Sequence, residues 1–293
     1  MARLFSSVHK MQYDAPDVVP CTYAGHHYDF EIDPGDRRGE GGNAIVYKCY
    51  NRTDGESLAM KIQLVDEPGP LSGREYRELH LLEKVRHNQL MSCCAAGKVQ
   101  LKPKRGMCLN CPYIVMPLAD KDLIKLRREG QIPASDEVLF GQFRGLSAAL
   151  EELHRFAVHR DIKPENVLIQ GTAWILSDFG LCRFLDPDDN GPDLTQRHEK
   201  VGPKFWMSPE AMNRKLGSGD EITKASDVYQ LAAVFWFAAT GRHPTGIVSR
   251  SDWRGPRVLY DVIAAALAHN STARPQDGHQ FHEMIETAIQ SSC

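Results

Sequence analysis

Two short segments constrain this chain more than anything else in it. His159-Arg160-Asp161-Ile162-Lys163-Pro164-Glu165-Asn166 is followed, after an apolar run, by Ser177-Asp178-Phe179-Gly180. Their side chains share one kind of chemistry. Asp161 can take a proton from an attacking hydroxyl and aim its lone pair, and Lys163 can reach a transferring phosphate. Asn166 offers a neutral oxygen to a cation and Asp178 a carboxylate. Mg²⁺ takes hard oxygen ligands, few of them from protein, and shares the rest with water and phosphate. Val167-Leu168-Ile169 and Trp174-Ile175-Leu176 read as two short strands turning at Gln170-Gly171-Thr172. A hairpin of that kind brings Asn166 and Asp178 to the same end.

The two motifs, in this order, resemble the catalytic loop and the magnesium-binding motif of the eukaryotic-like serine/threonine protein kinases. The resemblance covers roughly Phe30 to Ile289. It implies an α+β, bilobal fold, with a small β-rich N-lobe carrying one regulatory helix and a larger helical C-lobe. The expected division is residues 1–29 as an extension of unknown role, 30–116 as the N-lobe, and 117–293 as hinge and C-lobe. The implied reaction moves the γ-phosphate of ATP to Ser or Thr hydroxyls of protein substrates, with autophosphorylation. Mg²⁺, or Mn²⁺ in its place, serves as the metal. The catalytic residues would be Asp161, Lys163, Lys61 and Glu78, and the metal ligands Asn166 and Asp178.

In the N-lobe, Gly39-Glu40-Gly41-Gly42-Asn43-Ala44-Ile45-Val46 matches the family's glycine-rich loop at Gly39, Gly41 and Val46. Glycine lets the backbone approach phosphates closely. Ala44 replaces the third glycine. The alternating strand that follows, Ile45 to Tyr50, suits that assignment. Leu58-Ala59-Met60-Lys61-Ile62 resembles the strand whose lysine holds the α- and β-phosphates, with Ala59 near the adenine. Arg74 to Lys84 reads as a helix, apolar at Leu79 and Leu82, with Val85 continuing the spacing. Glu78 is its expected partner for Lys61, with Glu75 as the other candidate.

Tyr113-Ile114-Val115-Met116 resembles the strand into the hinge, ending at Pro117. Met116 would stand beside the adenine. The carbonyl of Pro117 and the backbone of Ala119 would face the adenine edge, and Leu168 would line the pocket from the C-lobe. Pro117 lacks an N–H, but only its carbonyl is needed there. Asp122 is either a ribose ligand or a solvated charge in a helix's first turn. Cys93, Cys94, Cys108 and Cys111 have spacings that a zinc site could use. Cys93 and Cys94 are adjacent, however, and point to opposite faces of a strand. Cysteine is often a small core residue, and no zinc is assigned.

In the C-lobe, Asp136 to Phe156 reads as an amphipathic helix with Val138, Leu139, Phe143, Leu146, Leu150 and Leu153 in one stripe. Ala225 to Thr240 is apolar enough to be a buried central helix. By resemblance, Asp227 braces the catalytic loop, and Glu210 of Ser208-Pro209-Glu210 pairs with Arg274. Arg160 before Asp161 is typical of kinases switched by a phosphate between Gly180 and Ser208, and Thr195 is the best acceptor there. Pro203 stands where the family usually has threonine, which leaves acceptor preference open. The link from Pro244 to Arg274 holds one clear helix, Val258 to Ala268, so the family's substrate-docking region is reduced. The reduced link, the compact hinge and the Gly41-Gly42-Asn43-Ala44 loop suggest a bacterial or phage member.

Composition sets outer limits. At 293 residues, 42% hydrophobic, 25% charged and with net charge -3, the chain suits a globular protein and offers no basic run for nucleic acid. No apolar run reaches membrane-span length, and Met1 to Ser6 lacks a signal core. Eight cysteines without a regular framework suit a reducing, cytoplasmic setting. Protein substrates are expected, and a regulatory partner or self-association is compatible with the reduced docking region. Two other classes compete. A pseudokinase-like nucleotide-binding module usually lacks a catalytic residue, and none is lost here. A small-molecule phosphotransferase would have no use for Lys163 beside a Ser-Pro-Glu motif.

Overall fold

In a computed structural model the chain forms two compact units, Met1–Glu83 with Ser92–Ala119, and Lys84–Met91 with Asp120–Cys293. The structure describes residues 1–41, 44–65, 73–133, 135–186 and 205–291, with backbone alone at 73–76.

The first unit is one eight-stranded sheet with a helix. Its strands are β1 (Ala2–Ser6), β2 (Met11–Ala15), β3 (Val18–Tyr23), β4 (His26–Glu40), β5 (Ala44–Asn51), β6 (Ser57–Gln63), β7 (Ala95–Pro103) and β8 (Leu109–Pro117). The helix α1 is Gly73–Lys84. The strand order is β1-β2-β7-β8-β6-β5-β4-β3. Successive side chains of a strand point to opposite faces, and that alternation sorts the sheet. Ile45, Tyr47 and Cys49 of β5, Leu58, Met60 and Ile62 of β6, and Tyr113 and Val115 of β8 all turn to one face and are buried.

Residues 1–29 cover that face. The β1–β2 hairpin pairs onto β7 through Tyr13↔Pro103 and Asp14↔Lys102, and β3 pairs with β4 through Val19↔Phe30. Leu4, Tyr13, Ala15, Val19 and Cys21 join one core cluster with Phe30, Tyr47, Met60 and Val115. Full burial of an apolar side chain is worth roughly 1.5–3 kcal/mol, so these residues are part of what holds the sheet together. The extension whose role the sequence left open is therefore structural. Strand β4 runs through Asp33-Pro34-Gly35-Asp36 by means of register shifts between Ile32 and Gly39. A bulge absorbs residues that would otherwise make a turn.

The second unit is mostly helical. It contains β9 (Lys121–Asp122), α2 (Leu123–Arg128), α3 (Asp136–Leu153), β10 (Ala157–Val158), β11 (Val167–Gln170), β12 (Ala173–Leu176) and β13 (Arg183–Phe184). Then come α4 (Pro209–Lys215), α5 (Lys224–Thr240), α6 (Tyr260–Ala266) and α7 (Gly278–Gln290). Helix α5 is apolar nearly all round and is buried on nearly every side. Thr223 and Ser226 form a capping box at its start, and Gly241, at φ 74°, closes it in the left-handed conformation.

Phe143 of α3 stacks on Phe235 of α5 with centroids 4.1 Å apart, and Phe235 meets Phe281 of α7 at 6.0 Å. Helix α3 keeps the expected stripe at Leu139, Phe143, Leu146, Leu150 and Leu153, but Val138 is 39% exposed. It sits one residue, about 100° of rotation, off that stripe. Helix α7 lies against α3 so closely that a Cβ on Gly278 would stand 2.5 Å from the backbone N of Glu151. The stretch from Gly241 to Asp277 holds only α6 and two short 3₁₀ turns. Among the described residues, no helix is long and apolar enough to cross a membrane.

Candidate active site

In the first unit, strand register gathers the expected nucleotide residues. Gly39 opposes Val46, Val46 opposes Lys61, and Lys61 opposes Ile114. Two residues along, Lys48 opposes Ala59 and Ala59 opposes Met116. Directly opposed residues share a face, and so do residues two apart along a strand. Val46, Ala59, Lys61 and Met116 therefore lie together on the face turned away from the core. Pro117 follows at the end of β8, opposite Leu58, and Ala119 closes the unit.

Lys61 Nζ donates to both carboxylate oxygens of Glu78, at 2.7 Å each. Glu78 is 3% exposed. A buried carboxylate needs such a partner, and α1 presents it to β6. Gly41 has neither a positive φ nor any described atom within 4 Å of where a Cβ would stand. Packing among the described residues does not require glycine there, whereas a ligand lying against the backbone would.

In the second unit the loop before β11 is held from beneath. Asp227, fully buried on α5, accepts hydrogen bonds from the backbone N–H of His159 at 2.6 Å and of Arg160 at 2.8 Å, and meets His154 Nε2 at 3.1 Å. Arg160 has φ 71° and Asp178 φ 65°. Such values are strained for residues with a Cβ and persist only where the surroundings fix them. Gln230, one turn along α5, accepts from Ile162 N–H and donates to the carbonyl of Trp206. Sequence reading missed Gln230. Its signal was a polar side chain three residues after Asp227 on an otherwise apolar helix.

Above this brace, Asp161 is 5% exposed. Its Oδ2 accepts from Lys163 Nζ at 2.9 Å and from Asn166 Nδ2 at 3.0 Å. Asn166 Nδ2 also donates to the Asp161 carbonyl at 2.8 Å. Among the described residues no hydrogen bond reaches Asp161 Oδ1. The amide nitrogen of Asn166 is thus committed to Asp161, which turns Oδ1 of Asn166 the other way.

The β11–β12 hairpin pairs Val167 with Leu176. Ser177 then donates both N–H and hydroxyl to the Asn166 carbonyl, at 2.9 Å each. Asn166 and Asp178 therefore leave the same end of the hairpin. One neutral and one anionic oxygen donor suit a hard divalent cation such as Mg²⁺, so the residues present fit that metal. Phe179 packs its ring on His159, with centroids 5.3 Å apart.

Leu168 opposes Asp122 across β11 and β9. The Asp122 carboxylate caps α2, accepting from Lys125 N–H at 2.7 Å. Glu210 pairs with Arg274 through two hydrogen bonds, at 2.8 and 2.9 Å. Burial would raise the Glu210 pKa, but the bonds from Arg274 and Ser226 outweigh it and hold the carboxyl below its ordinary value. Among the described residues no group of three or more His, Cys, Asp and Glu side chains is placed to hold a metal ion. Cys111 is buried in the sheet core while Cys108 is exposed. Thr195 and Pro203 lie outside the described residues.

Residues 34–287 match the protein kinase domain. The chain belongs to that family. Relatives of this kinase domain include the probable serine/threonine-protein kinase PknB of Bifidobacterium longum, 29% identical over 235 residues, which are 77% of this chain and 32% of that protein. Cyclin-dependent kinase-like 4 of Homo sapiens is 27% identical over 209 residues, 70% of this chain and 50% of that protein. The proline-rich receptor-like protein kinase PERK12 of Arabidopsis thaliana is 27% identical over 311 residues, 96% of this chain and 40% of that protein. The chain thus spans between a third and a half of these relatives' lengths.

Proposed function

We propose that this kinase domain transfers the γ-phosphate of ATP to Ser or Thr hydroxyls of protein substrates. The observation that carries the reading is the state of Asp161. Lys163 and Asn166 both occupy one carboxylate oxygen and leave the other to a substrate hydroxyl. In this reading Asp161 Oδ1 orients the hydroxyl and receives its proton as the new O–P bond forms, and ADP leaves with the electrons of the broken bond. Lys163 steadies the transferring group, and Lys61, ordered by Glu78, holds the α- and β-phosphates. Asn166 and Asp178 would hold the metal, which when bound offsets phosphate charge. Gly39, Gly41 and Val46 would cover the phosphates. Ala59, Met116, Pro117, Ala119 and Leu168 would bound the adenine. Asp122 already caps α2, and any ribose contact would come from its second oxygen. The kinase names of the relatives support protein as the acceptor, and a cytoplasmic setting accords with the cysteine pattern.

Radiolabelled ATP offered to the wild-type chain, Asp161→Ala and Lys61→Ala tests this. Label should enter protein with the wild type, and loss of the base should lower turnover by about 10²–10⁴. Turnover equal to wild type in either variant refutes the assigned roles.

A further inference from the structure

Glu40 lies in the middle of the Gly39-Glu40-Gly41 segment, yet its side chain is only 9% exposed. Apart from Arg37, three residues before it, its partners come from the start of the chain. Oε1 accepts from the Ser6 hydroxyl at 2.6 Å and from Val8 N–H at 2.9 Å. Oε2 accepts from the Ser7 hydroxyl and from Arg37 Nη1, the latter at 2.8 Å. Burial alone would raise the Glu40 pKa, but the two hydroxyls and the N–H groups of Val8 and Ser7 bring it down to about 2, so it is ionised at neutral pH.

The β1 pattern explains why Ser6 is there. Ala2, Leu4 and Ser6 are its inward positions, and Ser6, at 1% exposed, is a polar residue in a core-facing row. Such a group must be satisfied, and Glu40 satisfies it. A second tie fixes the same hairpin one strand over: the hydroxyl of Tyr47 accepts from Phe5 N–H at 2.8 Å and donates to the Phe5 carbonyl at 3.2 Å. The extension reaches the other phosphate-side element as well, since Tyr23 donates to Glu83 on α1 at 3.2 Å.

We propose that the turn of the β1–β2 hairpin is a clamp on the glycine-rich segment, with Ser6, Ser7 and Val8 as positioning residues that set nucleotide affinity by fixing Glu40. The consequence for affinity rests on the reading that this segment lies against the ATP phosphates. Nothing in the clamp touches the reacting atoms, so it acts on binding and leaves the transfer step alone.

Ser7 is exposed, which makes it the position to vary without opening the core. Ser7→Glu sets a second carboxylate against Glu40, Ser7→Ala removes one donor, and Ser7→Thr keeps the hydroxyl. The full chain is titrated with a fluorescent N-methylanthraniloyl ATP at fixed Mg²⁺, kcat is measured with saturating ATP, and hydrogen exchange is followed over residues 39–46. Expected for Ser7→Glu are a rise of about tenfold in Kd and in KM for ATP with kcat within about twofold. Exchange over 39–46 should speed up. Ser7→Ala should move the same way by less, and Ser7→Thr should restore wild-type values. Unchanged Kd and exchange in Ser7→Glu, or a fall in kcat with KM constant, overturns the proposal. A wild-type chain that binds no nucleotide overturns the ATP reading and the claimed consequence together, while the exchange data still score the clamp by itself.

Discussion

Replacing Asp227 with alanine should cost the second unit about as much stability as truncating one of its large buried apolar side chains. The wild-type carboxylate is wholly buried and accepts from two backbone N–H groups and His154. Alanine leaves the amides of His159 and Arg160 buried without an acceptor, at about 1–3 kcal/mol each, or about 2–6 kcal/mol together. The φ of 71° at Arg160 is one that Asp227 helps to enforce, so the loop has a cheaper conformation to relax into. All four tryptophans, Trp174, Trp206, Trp236 and Trp253, lie in the second unit. Tryptophan fluorescence during urea unfolding therefore follows that unit. With a slope near 2 kcal/mol per M, a cost of about 4 kcal/mol lowers the midpoint by about 2 M. Asp227→Asn, which keeps one acceptor oxygen, should fall between. A midpoint shift below about 0.5 M in Asp227→Ala, at unchanged slope, would refute the brace argument.

Arg274→Ala strips Glu210 of its charged partner and leaves it the Ser226 hydroxyl while the carboxylate stays buried, and should cost about 3–5 kcal/mol in the same assay; a loss under about 1 kcal/mol counts against it. Gly278→Ala drives a methyl into the rigid backbone of α3 and should cost about 1–3 kcal/mol, with a melting temperature equal to wild type as the contrary result. Burial lowers the pKa of His87 and His243 below the ordinary value. At these two groups the unfolded chain binds protons that the fold refuses, so their contribution is intact above roughly pH 6.5 and falls as pH drops through that value, while exposed His279, whose pKa Glu151 raises, works in the opposite sense and is screened by solvent. Urea midpoints at about pH 7.5 and 5.5 check the sign, and a higher midpoint at the lower pH defeats it. Below about pH 4.5, protonation of Glu210, whose folded pKa is depressed, should remove further stability.

The candidate site was legible because its residues sit in short contiguous runs, which the strand register and the Asp227 brace bring together within each unit. The β11–β12 hairpin followed from two apolar runs around Gly171, and the Lys61–Glu78 pair from a strand lysine and a helix glutamate. Residues 1–29 were not legible, for reasons the burial explains. In β1 the exposed positions include Phe5 and the buried ones include Ser6, so polarity does not alternate with burial. Asp33-Pro34-Gly35-Asp36 has turn composition, yet β4 passes through it as a bulge. Val138 joined the expected stripe because it is apolar, although helix geometry turns it outward. Gln230 and Glu40 went unnoticed because their importance lies in partners distant in sequence, respectively Ile162 and the Ser6–Val8 turn.

The three N-terminal strands also bear on where this protein can be cut. A fragment begun at residue 34, where the family match starts, would lose β1, β2, β3 and the first half of β4. Strand β7 would be left as a bare outer edge, and Tyr47, Met60 and Val115 would lose part of the layer above them. Open edges and stripped apolar faces invite self-association. A fragment meant to keep this sheet covered therefore has to include β1, β2 and β3.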